Sequence, residues 1–267
     1  MRDFPTGGVK NLKRRIYAMD ELRGFAVFCM VFYHAFYTLA FLFQLPWGEA
    51  LFRFFTPAEP WFAGLFIFIA GISSDLSRSN LVRGAKLFAV ALLVTAATAL
   101  VVPEELILFG ILHFLSICMM AFGLLQLLRR RAGKEDAPFR LWPVLVCALL
   151  LVVTWNISDG YLQIPFLLRV NLPQSWYQPW LAPLGLPGPG FASADYFPLL
   201  PWCFVFAAGT VVGRLARAGR FPEFLYPSRI PFFSFLGRHA LLIYVVHQPV
   251  IYGVSLLVTA LMGGMGG

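Results

Sequence analysis

Seven apolar runs, drawn at roughly 24–45, 59–77, 85–102, 106–128, 141–157, 197–214 and 239–262, are each long enough to cross a hydrocarbon layer about 30 Å thick. No other feature narrows so far the folds open to this chain. In lipid every backbone N–H and C=O must be satisfied internally, and runs of this length manage that as α-helices. The expectation is an all-α polytopic membrane helix bundle of about seven transmembrane helices, one integral-membrane domain over 1–267. Composition agrees: 59% of residues are hydrophobic, 13% are charged and 28 are Phe, far from globular averages. The first run follows about twenty polar residues and lacks a small-x-small exit, so it reads as a retained anchor and not as a cleaved signal.

The net charge of +8 informs through its distribution. Threading the runs with the N-terminus inside puts all of the 21 Lys and Arg except Arg53 and Arg169 on one side. The positive-inside rule therefore predicts N-in and C-out, with 1–20 a cytoplasmic basic tail. Trp47, Trp61, Trp155, Trp176, Trp180 and Trp202 fall at or near the outer side and Trp142 at the inner, as indole rings at interfaces should. No basic surface helix or RNA-binding signature suggests a nucleic-acid partner. Cys29, Cys118, Cys147 and Cys203 lie singly within runs, and no Cys/His cluster suggests a metal. No internal repeat marks the two matching halves of a transporter. The turn at Pro103-Glu104-Glu105 reads either as a tight outer hairpin or as a sign that the two runs beside it are one re-entrant unit.

A long outer connection over 156–196 breaks the pattern of short loops, with six Pro and the aromatics Trp176, Tyr177 and Trp180. Loops of this length are functional or disordered. Flat indoles beside Gln174, Gln178 and Asp195 suit a carbohydrate-like acceptor, and equally suit a cap lying on the bilayer. Three apolar runs each carry one histidine well inside: His34, about 16 Å past Arg23, and His113 and His247, each about 12 Å deep. A lone intramembrane histidine is most simply a hydrogen bond between helices. Three at similar depth argue for a polar cavity, with Gln248, Asn156 and Asp195 close by and His239 at the interface. A neutral imidazole is a ready general base, and acyl transfer to a hydroxyl or amine needs such a base or a nucleophile. No Gly-x-Ser-x-Gly elbow, Walker loop or dinucleotide fingerprint occurs.

The string Arg15-Ile-Tyr-Ala-Met-Asp20-Glu-Leu-Arg23-Gly24, followed by Met30-Val-Phe-Tyr-His34, resembles the opening of the heparan-alpha-glucosaminide N-acetyltransferase catalytic-domain family, in particular its short prokaryotic members. Further strings agree in order: Leu65 through Ser73, Phe109-Gly110-Ile-Leu-His113, Asp195 through Trp202, and Leu236-Gly237-Arg238 through His247-Gln248-Pro249. The resemblance implies a transmembrane acyltransferase that moves an acetyl group from cytosolic acetyl-CoA to an extracytoplasmic sugar or glycan acceptor. It also implies a catalytic role for His34. The eukaryotic lysosomal enzyme places its histidine beyond the first helix, but none occurs here between Phe41 and Pro60.

On this reading His34 activates the acceptor or carries the acetyl group, and His113, Asp195 and His247 shape its cavity. CoA phosphates need cations, for which Arg23 with Gly24, Arg78, Arg83, Lys86 and Arg238 stand at the inner boundary. Asp20, Trp176, Trp180, Trp202 and Gln248 are the candidate substrate contacts. Membrane lipid and acyl-CoA are the expected partners, and a homodimer is compatible with such a bundle. From other classes, a non-enzymatic permease or flippase with a polar cavity, or a haem carrier using paired histidines, fits the same residues.

Overall fold

The computed structural model describes residues 15–134 and 137–264. The basic tail expected over 1–20 thus lies outside the described residues as far as residue 14. Helix α1 (Tyr17–Tyr37) runs on as one turn of π-helix (Thr38–Leu42). It is followed by α2 (Pro46–Phe55), α3 (Glu59–Leu76), α4 (Asn80–Val101), α5 (Ile111–Arg131), α6 (Trp142–Thr154), α7 (Leu199–Arg217), α8 (Pro231–Arg238) and α9 (Ala240–Gly264). Among the described residues seven stretches are long and apolar enough to span, and they overlap the seven expected runs, the second beginning earlier, at Pro46. Helix direction alternates, so one end of the bundle gathers Arg15, Arg23, Arg129–Arg131, Arg214 and Arg217. That basic end faces away from a hairpin end, where β1 (Tyr161–Ile164) pairs antiparallel with β2 (Leu168–Asn171).

Two helices escape a search for spanning runs. Helix α2 is only ten residues long and carries the exposed Glu49–Arg53 pair, yet it joins α3 through one 3-10 turn into a single apolar rod, 46–76. Its Phe52 ring sits 5.3 Å from Tyr33, 5.7 Å from Tyr37 and 5.2 Å from Phe41. Helix α8 is shorter still, with Phe232 and Phe235 exposed and Ser234 and Gly237 buried, an interfacial pattern.

Close backbone approach holds the bundle together, as is usual where lipid supplies no hydrophobic drive between helices. A Cβ on Gly71 of α3 would strike the backbone of Phe206 and Gly209 on α7, and one on Gly209 would strike Phe68 and Gly71. Gly24 and Gly237 form the same kind of crossing between α1 and α8. Beside it, Glu21 caps α8 from α1: one carboxylate oxygen accepts from the Arg229 amide at 2.7 Å, the Ile230 amide at 2.9 Å and the Ser228 hydroxyl at 3.0 Å. Asp75 and Arg217 close the basic end with a two-pronged ion pair between α3 and α7.

The connection after α4 folds back into the bundle. The Thr95 hydroxyl donates to the Ile107 carbonyl at 2.7 Å. Residues 106–110 then run beside 193–197, with Ala194 N–H to the Leu106 carbonyl (3.1 Å), Phe197 N–H to the Phe109 carbonyl (2.9 Å) and a parallel bridge between Phe109 and Tyr196. Non-helical backbone inside a membrane protein needs such mutual satisfaction. Helices α4 and α5 flank the turn at 103–105 and are each long and apolar enough to span, so of the two sequence alternatives the structure has the hairpin between two spans; the paired segments 106–110 and 193–197 are re-entrant only in folding back into the bundle.

The helix crossings make a direct test. Gly209→Leu should destabilise the solubilised protein by about 1–3 kcal/mol or more, the usual range for forced overpacking. Gly253→Ala on α9, where nothing lies within 4 Å of the added Cβ, should leave the melting temperature unchanged; equal behaviour of the two variants would contradict the packing described.

Candidate active site

Ala26, Met30, Tyr33 and His34 recur at helical spacing along one face of α1 and line a cavity of about 250 Å³. Glu59 and Phe62 of α3 face it from the other side, with Ile111 at the start of α5, Asp195 and Tyr196 of the re-entrant segment, and Tyr244 of α9. The cavity therefore extends from one turn past Arg23 to the carboxylates that approach from the hairpin end.

His34 lines this cavity and His247 packs behind it without lining it, their ring centroids 4.9 Å apart. Their meeting follows from the Gly24–Gly237 crossing, because each histidine lies ten residues further along its chain. His247 is 7% exposed, and its Nδ1 lies 2.6 Å from the Tyr244 carbonyl. A carbonyl only accepts, so Nδ1 carries the proton and Nε2 of the neutral ring is an acceptor. That Nε2 is buried and has no hydrogen-bond partner among the described residues. Tyr33 stands beside His34 at 5.4 Å, edge to face.

Asp195 is held from two sides. Its Oδ2 accepts from the Ile111 amide at 3.0 Å and from the Tyr244 hydroxyl at 2.6 Å, so it caps α5 with a charge that suits a helix N-terminus. Gly110 makes room, since a Cβ there would collide with the carboxylate. Burial holds the Asp195 carboxyl above its ordinary range, an effect partly offset by the Tyr244 and Ile111 donors. Nearby, Tyr37 donates to Glu105 at 3.1 Å; Glu105 is pushed up by burial, with the Tyr37 bond opposing and the neighbouring Glu104 adding to the rise.

Of the other residues singled out in the sequence, His113 turns toward α4. The Thr95 hydroxyl, which spends its proton on Ile107, accepts from His113 Nε2 at 3.3 Å, and the Phe88 and Phe109 rings flank the imidazole at 6.0 Å each. His113 does not line the cavity and braces the re-entrant segment against α4. Arg23 donates to Ser73 at 2.7 Å and pairs with Asp20 at 3.5 Å, which also holds Arg15 at 2.7 Å. Asp20 and Gly24 thus belong to the basic end, with Asp20 about 21 Å of helix away from His34. Arg78, Arg83, Lys86 and Arg238 are exposed. Trp176 and Trp180 are exposed at the hairpin end, Trp180 by 72%, whereas Tyr177 between them is buried and donates to the Ile157 carbonyl at 2.6 Å. Trp202 packs on Trp155 at 5.5 Å and lines a smaller cavity of about 180 Å³ that shares Tyr196 with the first. Gln248 is half-buried beside the pair and lines neither cavity. Glu59, Tyr33 and Tyr244 are site residues that sequence reasoning passed over. A carboxylate opening an apolar run, a phenol next to His34 and a phenol one helical turn before His247 were the available signals.

Seven spanning helices around a cavity lined by imidazole, phenol and carboxylate define a polytopic membrane protein with polar chemistry inside the bundle. A family model described as heparan-alpha-glucosaminide N-acetyltransferase, catalytic, matches residues 15–249. The chain belongs to that family and is a membrane protein of the acetyltransferase type. No curated protein and no solved structure matches it.

The position of Asp195 predicts a pH effect. A carboxyl raised in the folded state contributes most to stability below its unfolded value of about 3.9, and that contribution declines as pH rises through the folded value. Melting temperatures of wild type and Asp195→Asn, compared from about pH 4 to pH 8, should diverge in favour of the variant as pH increases; a constant gap would remove burial as the dominant influence on this group.

Proposed function

We propose that the protein transfers an acetyl group from acetyl-CoA, bound at the basic end, to a sugar-type acceptor entering from the hairpin end, with His34 as general base. The observation that carries this reading is the course of the cavity, from Ala26 and Val27, one turn past Arg23, to His34, Glu59 and Asp195. Donor and acceptor can each enter from its own end and meet at one imidazole.

Arg23 is the best-supported phosphate contact. It projects between α1 and α3, Ser73 and Asp20 orient its planar fork, and Arg83 of α4 is close enough to feel its charge. A guanidinium held in this way suits multidentate phosphate recognition. His34 then takes the acceptor's proton as its nucleophilic atom attacks the thioester carbonyl. His247, with its Nδ1–H fixed by the Tyr244 carbonyl, packs its ring against the adjacent imidazole and limits how that imidazole can turn. The two rings act as a base and its support, and no acetyl-histidine step is needed. The positive-inside rule favours a cytoplasmic basic end, and on this reading the acetyl group moves outward across a membrane such as the bacterial inner membrane.

His34→Ala should lower acetyl-CoA-dependent CoA release in purified protein by about 10²–10⁴-fold, the usual worth of a general base, while acetyl-CoA binding persists. Full retained turnover would take His34 out of the mechanism, and failure of acetyl-CoA to bind the wild type would favour a permease or flippase. Arg23→Ala should raise KM for acetyl-CoA about tenfold or more with a smaller change in kcat, as loss of one charge-assisted contact predicts. Orientation is checked by single cysteines in a cysteine-free background: Gln174→Cys should react with an impermeant maleimide on intact cells and Lys134→Cys only after lysis, and the opposite pattern would reverse the topology.

A further inference from the structure

Acyl transfer asks a site for a base, and also for a donor to the oxygen that turns negative as the carbonyl carbon becomes tetrahedral. His34 answers the first need, but no Lys or Arg lines the cavity to answer the second. Two carboxylates, Glu59 and Asp195, line it instead, so an unassisted oxyanion would meet like charge there. The donor has to be neutral and already in place.

Three phenols line the cavity: Tyr33, Tyr196 and Tyr244. The Tyr196 hydroxyl donates to the Ala182 carbonyl at 2.7 Å and that of Tyr244 to Asp195 at 2.6 Å, while the first amide of α5 donates to the same carboxylate at 3.0 Å. Tyr33 differs from both. Its hydroxyl makes no hydrogen bond among the described residues, and its oxygen is not sealed off as the orphaned atoms of Asn80, His113 and His247 are. The ring itself is held, 5.3 Å from Phe52, 6.1 Å from Phe62 and 5.4 Å edge to face from His34. Both cavity carboxylates act on the phenol electrostatically, which puts its polar end on the cavity side. A phenol, with an ordinary pKa of about 10, carries its proton at neutral pH. The cavity therefore has a fixed ring with an unengaged O–H, on the residue next to the base.

We infer that Tyr33 is the oxyanion donor, its hydroxyl bound to the thioester carbonyl oxygen of the acetyl donor. This rests on the acyl-transfer reading above and adds a catalytic residue to it. As the acceptor's proton passes to His34, its lone pair forms the bond to the carbonyl carbon and the C=O π pair moves onto oxygen. The Tyr33 O–H shortens its bond to that oxygen and keeps its proton. When the intermediate collapses, C=O re-forms, the C–S bond breaks, and the departing thiolate takes the proton from His34. The products are acetylated acceptor and free thiol, with Tyr33 and His34 as they began. A donor of this kind acts mainly on the transition state, so its loss shows in kcat and leaves donor binding nearly unchanged.

The test uses the full chain in detergent or nanodiscs, with glucosamine and glucose supplied together as acceptor probes. Tyr33→Phe, which removes the hydroxyl and keeps the ring, should lower kcat for CoA release by about 10²–10³-fold, the usual worth of one oxyanion donor, with acetyl-CoA affinity within about twofold of wild type. Tyr252→Phe, an exposed phenol on α9, should leave both unchanged. Two CoA analogues in which CH₂ replaces the thioester sulfur separate this role from a structural one: a trifluoromethyl ketone, which hydrates to a tetrahedral centre, should bind Tyr33→Phe about tenfold or more worse than wild type, and a planar methyl ketone about equally. If Tyr33→Phe does not fold, a ring-fluorinated tyrosine at position 33 serves, since its phenol ionises at lower pH and a phenolate cannot donate; its kcat should fall at a pH where wild type keeps its own. Retained kcat in Tyr33→Phe, equal losses of affinity for both ketones, or a pH profile unmoved by fluorination would each overturn the role of Tyr33 and leave acyl transfer standing. Failure of wild type to bind acetyl-CoA would bring down the acyl-transfer reading and this role with it.

Discussion

One oxygen of Asp195 accepts from the first amide of α5 and from the phenol of α9, and it does so from a segment of chain belonging to neither helix. Three parts of the sequence more than forty residues apart converge on that atom. Because the same segment pairs its backbone with residues 106–110, α5 starts inside the bundle with its amide end turned toward the cavity. The floor of the site is thus built from peptide groups that a bilayer tolerates only when they satisfy one another. Thr95 and His113 brace that floor from the α4 side.

At the basic end the physics differs. The Asp20-Glu21-Leu22-Arg23-Gly24 string divides its work among neighbours pointing different ways: Glu21 caps α8, Gly24 lets α8 cross α1, Asp20 holds Arg15, and Arg23 reaches Ser73. Two of the five residues, Glu21 and Gly24, fix where α8 lies. The position of α8 in turn sets where α9 begins, and so brings His247 level with His34. A motif that looks catalytic in the sequence therefore serves the site chiefly from a distance, by setting the register of two helices, with Arg23 left as its candidate ligand contact.

How much of this was legible in advance depended on the kind of signal. Spanning helices were legible because the cost of an unsatisfied peptide group in hydrocarbon forces long, continuous apolar runs, and all seven were found close to where they were drawn. Helix α2 was missed because it is too short to register as a span on its own, and α8 because its pattern belongs to the interface. The β-hairpin was hidden in a Pro- and aromatic-rich connection whose alternation covers only four residues per strand. Among the site candidates, His34 and Asp195 line one cavity with His247 packed against His34, whereas His113 faces another helix and Trp176 and Trp180 face outward. Depth in the membrane can be counted along a chain; the direction in which a side chain points depends on how each helix is rotated by its neighbours.

The sequence by itself determined that this chain is a helical membrane protein with an uneven charge distribution and a few costly polar groups at mid-depth, because hydrophobic length, Lys/Arg placement and buried histidines are local properties. Tertiary structure alone decided which of those groups share a cavity. It packed His247 behind His34, tied Asp195 to two helices, and left Glu59 facing the cavity with no hydrogen-bond or ion-pair partner among the described residues. That decision came from glycine crossings, a capping carboxylate and two re-entrant segments, which act between residues far apart in the chain and leave no periodic trace within it.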